Sequence, residues 1–129
     1  MVDKSVDKSV DKSVDESVDE SVSESLVVVA LVRDLMDRSK IQGSITGVKF
    51  SSGADGCAGA DVVIVDLARN ADAIEAIAEA EPNAKILGFG SHVDTESLEA
   101  ARGAGAHLVM ARSQFFRDPL AAVTGLLTK

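Results

Sequence analysis

The chain has 129 residues, 46% of them hydrophobic and 26% charged, with no Trp, no Tyr and four Phe, so it can bury one aliphatic core of ordinary domain size and not two. A net charge of −8 and a pI near 4.6 set up a field that repels phosphate backbones and anionic headgroups, which argues against nucleic acid and membrane surfaces as partners. One Cys excludes an internal disulfide, and two isolated His cannot build a zinc centre without carboxylate help.

Residues 1–25 repeat a four-residue unit, Val-Asp-Lys-Ser three times from Val2, Val-Asp-Glu-Ser twice from Val14, then Val22 to Ser25. This segment carries eight acids against three Lys, whereas residues 26–129 carry thirteen acids against ten bases. A period of four drifts slowly around a helix, so the Val residues trace a thin stripe, but Val, Ser and Asp form helices poorly and have little to bury. The reading is a low-complexity acidic tail, either solvated and mobile or helical only marginally or on a partner, followed by one domain over 26–129. The amino terminus lacks the basic head and apolar stretch of a signal segment, and the longest apolar run, Leu26 to Val32, has seven residues against the roughly 20 that span a bilayer. A cytoplasmic location is expected.

From Leu26 onward apolar runs alternate with helical patterns, as parallel strands joined by crossover helices require. Leu26 to Val32 reads as a strand covered on both faces. Asp34 to Ile41 reads as a short helix with Leu35, Met36 and Ile41 near one face and Gly43 as its stop. Ile45 to Phe50 alternates as a second strand, and the Gly- and Ser-rich stretch Ser51 to Ala60 is a loop or at most one helical turn. Val62 to Val65 is a third strand ending at Asp66. Ala71 to Ala80 is a helix with Ala73, Ile74, Ile77 and Ala78 inward, stopped by Pro82. Lys85 to Phe89 is a fourth strand. Asp94 caps a helix to about Arg102 with Gly103 as its stop, His107 to Met110 is a fifth strand, and Asp118-Pro119 opens a last helix to about Leu127. The expected fold is α/β, a doubly wound sheet of five parallel strands with four clear helices.

In such a sheet ligands gather at the carboxyl ends of the strands, near the point where strand order reverses. Asp34 and Asp66 project from the ends of the first and third strands, and two carboxylates at one spot invite a hard divalent cation such as magnesium. Arg112 after the fifth strand supplies opposite charge, and Ser91 after the fourth a hydroxyl for a phosphoryl oxygen. These are the ingredients of phosphoryl transfer to an aspartate. Each residue also has a plain reading: Asp34 and Asp66 as helix caps, Arg112 as a standing partner of Asp66, and Asp37 as decoration of the first helical turn. Gly88-Phe89-Gly90 lacks the third spaced glycine of a dinucleotide site. Cys57 has no cationic neighbour in sequence to activate it, His92 and His107 read as loop or strand-edge residues, and Phe115 and Phe116 as core plugs.

Three motifs carry a resemblance over Leu26 to Lys129. Asp61-Val-Val-Ile-Val-Asp66-Leu67, Ala84-Lys-Ile-Leu-Gly-Phe-Gly-Ser91-His92 and Gly103-Ala-Gly-Ala106-His-Leu-Val-Met-Ala-Arg112-Ser113 resemble the third, fourth and fifth strands, with their flanking turns, of the receiver domain of two-component response regulators, CheY-like and flavodoxin-like in fold. The resemblance implies strand order 2-1-3-4-5, and the sequence departs from the family in a shortened second helix, since only about ten residues separate Phe50 from Asp61. The resemblance also implies phosphorylation of Asp66 by a histidine kinase, magnesium at Asp34, Asp66 and the carbonyl of Ala68, and no enzymatic activity beyond taking up the phosphoryl group. Output is then through protein contacts, with a homodimer through the last helix and strands four and five as one form. The sequence departs from the family at the acidic pair, where only Asp34 stands beside Arg33. It departs again at the switch hydroxyl, which aligns with Gly90 so that Ser91 is one position late, and at the fifth strand, where Arg112-Ser113 replaces a Lys and cis Pro. Two rival readings follow: a pseudo-receiver that binds a protein without phosphorylation, and a flavodoxin-like domain that binds a small molecule at Gly88 to His92.

Overall fold

The computed structural model describes residues 26–127, so the acidic repeat lies outside the described residues. Five strands form one parallel sheet: β1 Val28–Leu31, β2 Lys49–Phe50, β3 Val62–Asp66, β4 Lys85–Gly90 and β5 Leu108–Ala111, in the order β2-β1-β3-β4-β5. The helices are α1 Leu35–Ser44, α2 Leu67–Asn70, α3 Ala73–Ala80, α4 Thr95–Ala104, α5 Arg112–Arg117 and α6 Pro119–Leu127. A 3-10 turn, Ala54–Cys57, stands between β2 and β3, where the shortened second helix is expected.

The apolar runs become central strands because both their faces are covered. On one face Val28, Ala30, Val62, Ile64, Leu87 and Phe89 pack with Ile41 of α1, Phe115 of α5 and Val123 and Leu126 of α6. On the other, Val29, Leu31, Val63, Val65 and Ile86 pack with Ile74 and Ile77 of α3 and Ala101 of α4. The alternation along each strand therefore assigns residues to two cores rather than to core and solvent.

Four local expectations are corrected. Leu35 and Met36 are not on the inner face of α1; they are 77% and 71% exposed, and the inward residues are Asp37 and Ile41, four apart and so one above the other on the helix. Ile45 and Val48 reach the core from a turn, leaving only Lys49 and Phe50 to pair with β1. Helix α4 runs through Gly103 and ends at Gly105, whose φ of 125° is the conformation a side-chain-bearing residue resists. Helices α2 and α5 start directly from the ends of β3 and β5, earlier than the sequence pattern places any helix.

Candidate functional site

Parallel register brings the strand ends to one rim. Leu31 pairs with Val65, Asp66 with Phe89, and Gly90 with Ala111, so the residues that follow β1, β3, β4 and β5 all emerge at the carboxyl edge of the sheet. Asp34, Asp66, Ser91 and Arg112 are all on this edge. Asp66 keeps the alternation of Val62 and Ile64, and so belongs to the face covered by α1, α5 and α6.

The carboxylates differ in what they hold. Asp34 is exposed and caps α1, its Oδ1 accepting from the amides of Met36 at 2.9 Å and Asp37 at 3.1 Å. Asp66 is 5% exposed and caps α2, its Oδ1 accepting from the Ala68 amide at 3.1 Å. Ala68 itself lies in α2, one residue past its start. Asp37, only 2% exposed, holds a charged partner on the rim: Arg112 donates to its Oδ1 at 2.5 Å. Ser91 is exposed and its Oγ accepts from the Val93 amide at 3.4 Å, an arrangement that shapes the turn after β4.

Arg112 is the hub of this rim. Its guanidinium lies over the Phe116 ring, 4.9 Å from the centroid, and at 5.8 Å from that of Phe89. Phe89 and Phe115 stack at 4.8 Å with their planes parallel within 1°, and Phe116 meets both edge-on. Lys40 of α1 lies 5.4 Å from the centroid of Phe116. The hydrogen bond it donates to Asp37 holds Arg112 above the ordinary arginine range; partial burial opposes this, and the fields of Asp37, Asp66 and Asp34 add to it. The sequence thus places Asp34, Asp66 and Arg112 within one electrostatic neighbourhood, but the direct partner of Arg112 is Asp37.

Asp37 is the residue that sequence reasoning leaves as decoration. The signal that could have found it is phase: once Ile41 is assigned to the core, the position one turn earlier faces inward too, and a carboxylate there needs a cation.

The position one residue before Ser91 is also informative. A side chain at Gly90 would start with its Cβ 3.3 Å from Leu67 Cβ and 3.5 Å from Leu98 Cδ2, and one at Gly88 would meet Leu67 Cδ2 at 3.0 Å. Leu67 thus packs over the end of β4.

The strand order reverses between β1 and β3, and the crevice there is spanned by side chains. Asn70 of α2 donates to the Leu31 carbonyl at 2.9 Å, and Arg38 of α1 donates through Nε to the Val32 carbonyl at 2.6 Å while its guanidinium sits 5.0 Å from the centroid of Phe50. The Leu31 and Val32 carbonyls at the end of β1 thus each accept a hydrogen bond from within the chain.

A magnesium ion fits these residues poorly. Among the described residues no three His, Cys, Asp or Glu side chains gather as a set able to hold a metal ion. Of the three rim carboxylates, Asp34 and Asp66 each commit Oδ1 to a helix cap, and the charge of Asp37 is met by Arg112, whose guanidinium would repel a second cation.

No family model and no curated protein matches the chain. Solved structures do match, and many of those neighbours are response-regulator receiver or CheY-like domains. A response regulator from Thermotoga maritima superimposes with a TM-score of 0.68 at 15% identity, covering 81% of this chain and 98% of that one. A CheY-like protein (tadZ) from Pseudomonas aeruginosa gives 0.65 at 17% identity, covering 78% and 98%. A response regulator from Burkholderia pseudomallei, solved with a phosphorylated aspartic acid, a calcium ion and citrate, gives 0.61 at 13% identity, covering 67% of this chain and 59% of that one. The likeness establishes the doubly wound, flavodoxin-like receiver fold with order 2-1-3-4-5.

Proposed function

We propose that this receiver-fold chain is a signalling module that works through protein contacts, with the charge of its rim balanced from inside the chain by Arg112 and Asp37 rather than by a bound cation and a transferred phosphoryl group. The observation that carries the reading is the Arg112–Asp37 pair. One guanidinium nitrogen of Arg112 is committed to a carboxylate that is only 2% exposed, and drawing it away to a phosphoryl group on Asp66 would leave a buried charge without its partner. The packing of Leu67 against Gly90, which would crowd a Cβ there at 3.3 Å, supports the same reading.

The surface offered to a partner protein is that of β5, α5 and α6. Leu120 and Leu127 of α6 are exposed there, and Met110, Gln114, Arg117, Asp118, Ala121 and Ala122 line an open groove of about 310 Å³. A second copy of the chain, meeting this one through α6 and strands β4 and β5, is one such partner. No helix among the described residues is long and apolar enough to cross a membrane.

The alternative is transfer of a phosphoryl group from a histidine kinase to Asp66, with magnesium at Asp34, Asp66 and the Ala68 carbonyl and with Ser91 and Arg112 on the phosphoryl oxygens. It is favoured by one observation, that Asp66 is a buried carboxylate at the end of β3 within the field of Arg112. Incubation of the full chain with acetyl phosphate and magnesium separates the two. The intact mass is expected to stay unchanged; an added phosphoryl group that disappears in Asp66→Asn would establish the alternative.

A further inference from the structure

The start of β5 is held to β4 in an unusual way. His107 donates its backbone amide to the Ile86 carbonyl at 2.8 Å, and the Ile86 amide donates in return not to backbone but to the His107 ring, at 3.0 Å from Nδ1. The register of Leu87 with Leu108 would set the Ala106 carbonyl against the Ile86 amide, but there the chain is still closing α4, with the Ala106 amide donating back to the Ala101 carbonyl at 3.0 Å. The imidazole therefore stands in for a missing strand residue. Ile86 is fully buried, so its amide depends on this acceptor, while His107 is itself exposed and open to protons from solvent.

Nδ1 accepts only while it carries no proton, which fixes the neutral ring with hydrogen on Nε2. Protonation would set an N–H against the Ile86 N–H and break the bond. We propose that His107 is a pH-sensitive clasp: protonation releases the first residues of β5 from β4 and loosens the β5–α5 surface. Beyond that first bond the ladder continues with Leu87 against Leu108, so the release is local and begins at the edge strand of the sheet.

Burial, and then the charge of Lys85 on β4, holds the His107 ring below the ordinary imidazole range. Lys85 is the charged neighbour contributing to that shift, and the flanking Ala104, Gly105, Ala106 and Leu108, with Ala78 of α3 against Gly105, are all uncharged. The sign follows. A depressed folded-state value means that the clasp is fully present above the unfolded imidazole value of about 6.5 and is lost as pH falls below it through the folded value.

Amide hydrogen exchange of the full chain at two pH values on either side of that window tests the clasp. After correction for intrinsic exchange, Ile86 is expected to lose at least about tenfold of its protection at the lower pH while Val63 in β3 keeps its own. His107→Asn retains an acceptor oxygen at the branch position of Nδ1 and does not titrate in this range, so its Ile86 protection is expected to be independent of pH. Ile86 protection that is unchanged with pH in the wild type, or that falls equally in His107→Asn, would overturn the proposal.

Discussion

Replacing Arg112 with Ala is expected to lower the unfolding free energy by about 2–3 kcal/mol, because it leaves the Asp37 carboxylate buried without its cation. The asymmetry of the pair sharpens the expectation. Asp37 has a side-chain exposure of 4%, whereas Arg112 has 45%, so most of the cost arises on the carboxylate side. The reciprocal change, Asp37→Asn, keeps the side-chain shape and an acceptor oxygen and leaves a guanidinium that water can still reach; its cost should stay within about 1 kcal/mol. Arg112→Lys should fall between them, since an ammonium retains the charge but not the flat contact with Phe116. Thermal unfolding reads all three, with a fall in Tm of roughly 10 °C or more for Arg112→Ala. Equal losses for Arg112→Ala and Asp37→Asn would contradict the view that the pair exists to compensate a buried carboxylate.

Phe89→Ala is expected to cost about 3–5 kcal/mol, the largest single loss in the domain. Phe89 is fully buried, stacks on Phe115 and meets the edge of Phe116, so its removal opens a cavity among three rings at the end of β4. It also removes one of the two rings beneath the Arg112 guanidinium. Stability and rim charge are therefore coupled here, and a double-mutant cycle between Phe89→Leu and Arg112→Ala should show a coupling of about 0.5–1 kcal/mol. Chemical denaturation of the four proteins measures it; additive losses would mean that the ring only fills space.

Much of the architecture was legible because its signals are strong. Val62 to Val65 and Lys85 to Phe89 are continuous or near-continuous apolar runs, which a strand covered on both faces needs, and the helices between them fix parallel crossovers. Asp34 and Asp94 were readable as caps because their side chains bond amides of the first turn. Helix α5 was not readable, since it begins after Ala111 with no side-chain cap and directly from a strand end. The end of α4 is ambiguous in sequence because two glycines stand close together and only Gly105 takes the left-handed conformation. At the rim, the positions of Asp34, Asp66 and Arg112 follow from strand ends, which periodicity finds. The choice of Asp37 as the partner of Arg112 depends on which face of α1 turns inward, and a short helix with exposed Leu35 and Met36 misleads any reading that sends apolar residues to the core.

On the proposed reading the rim carries its own cation, Arg112. Titration of the full protein with magnesium, followed through the backbone amide resonances of Asp34, Asp66 and Ala68, addresses that claim most directly. The expected result is a set of small shifts, linear in salt and equal to those in sodium chloride of the same ionic strength. A saturable shift of these three amides, absent in Asp66→Asn, would show a bound metal ion at the rim and contradict it.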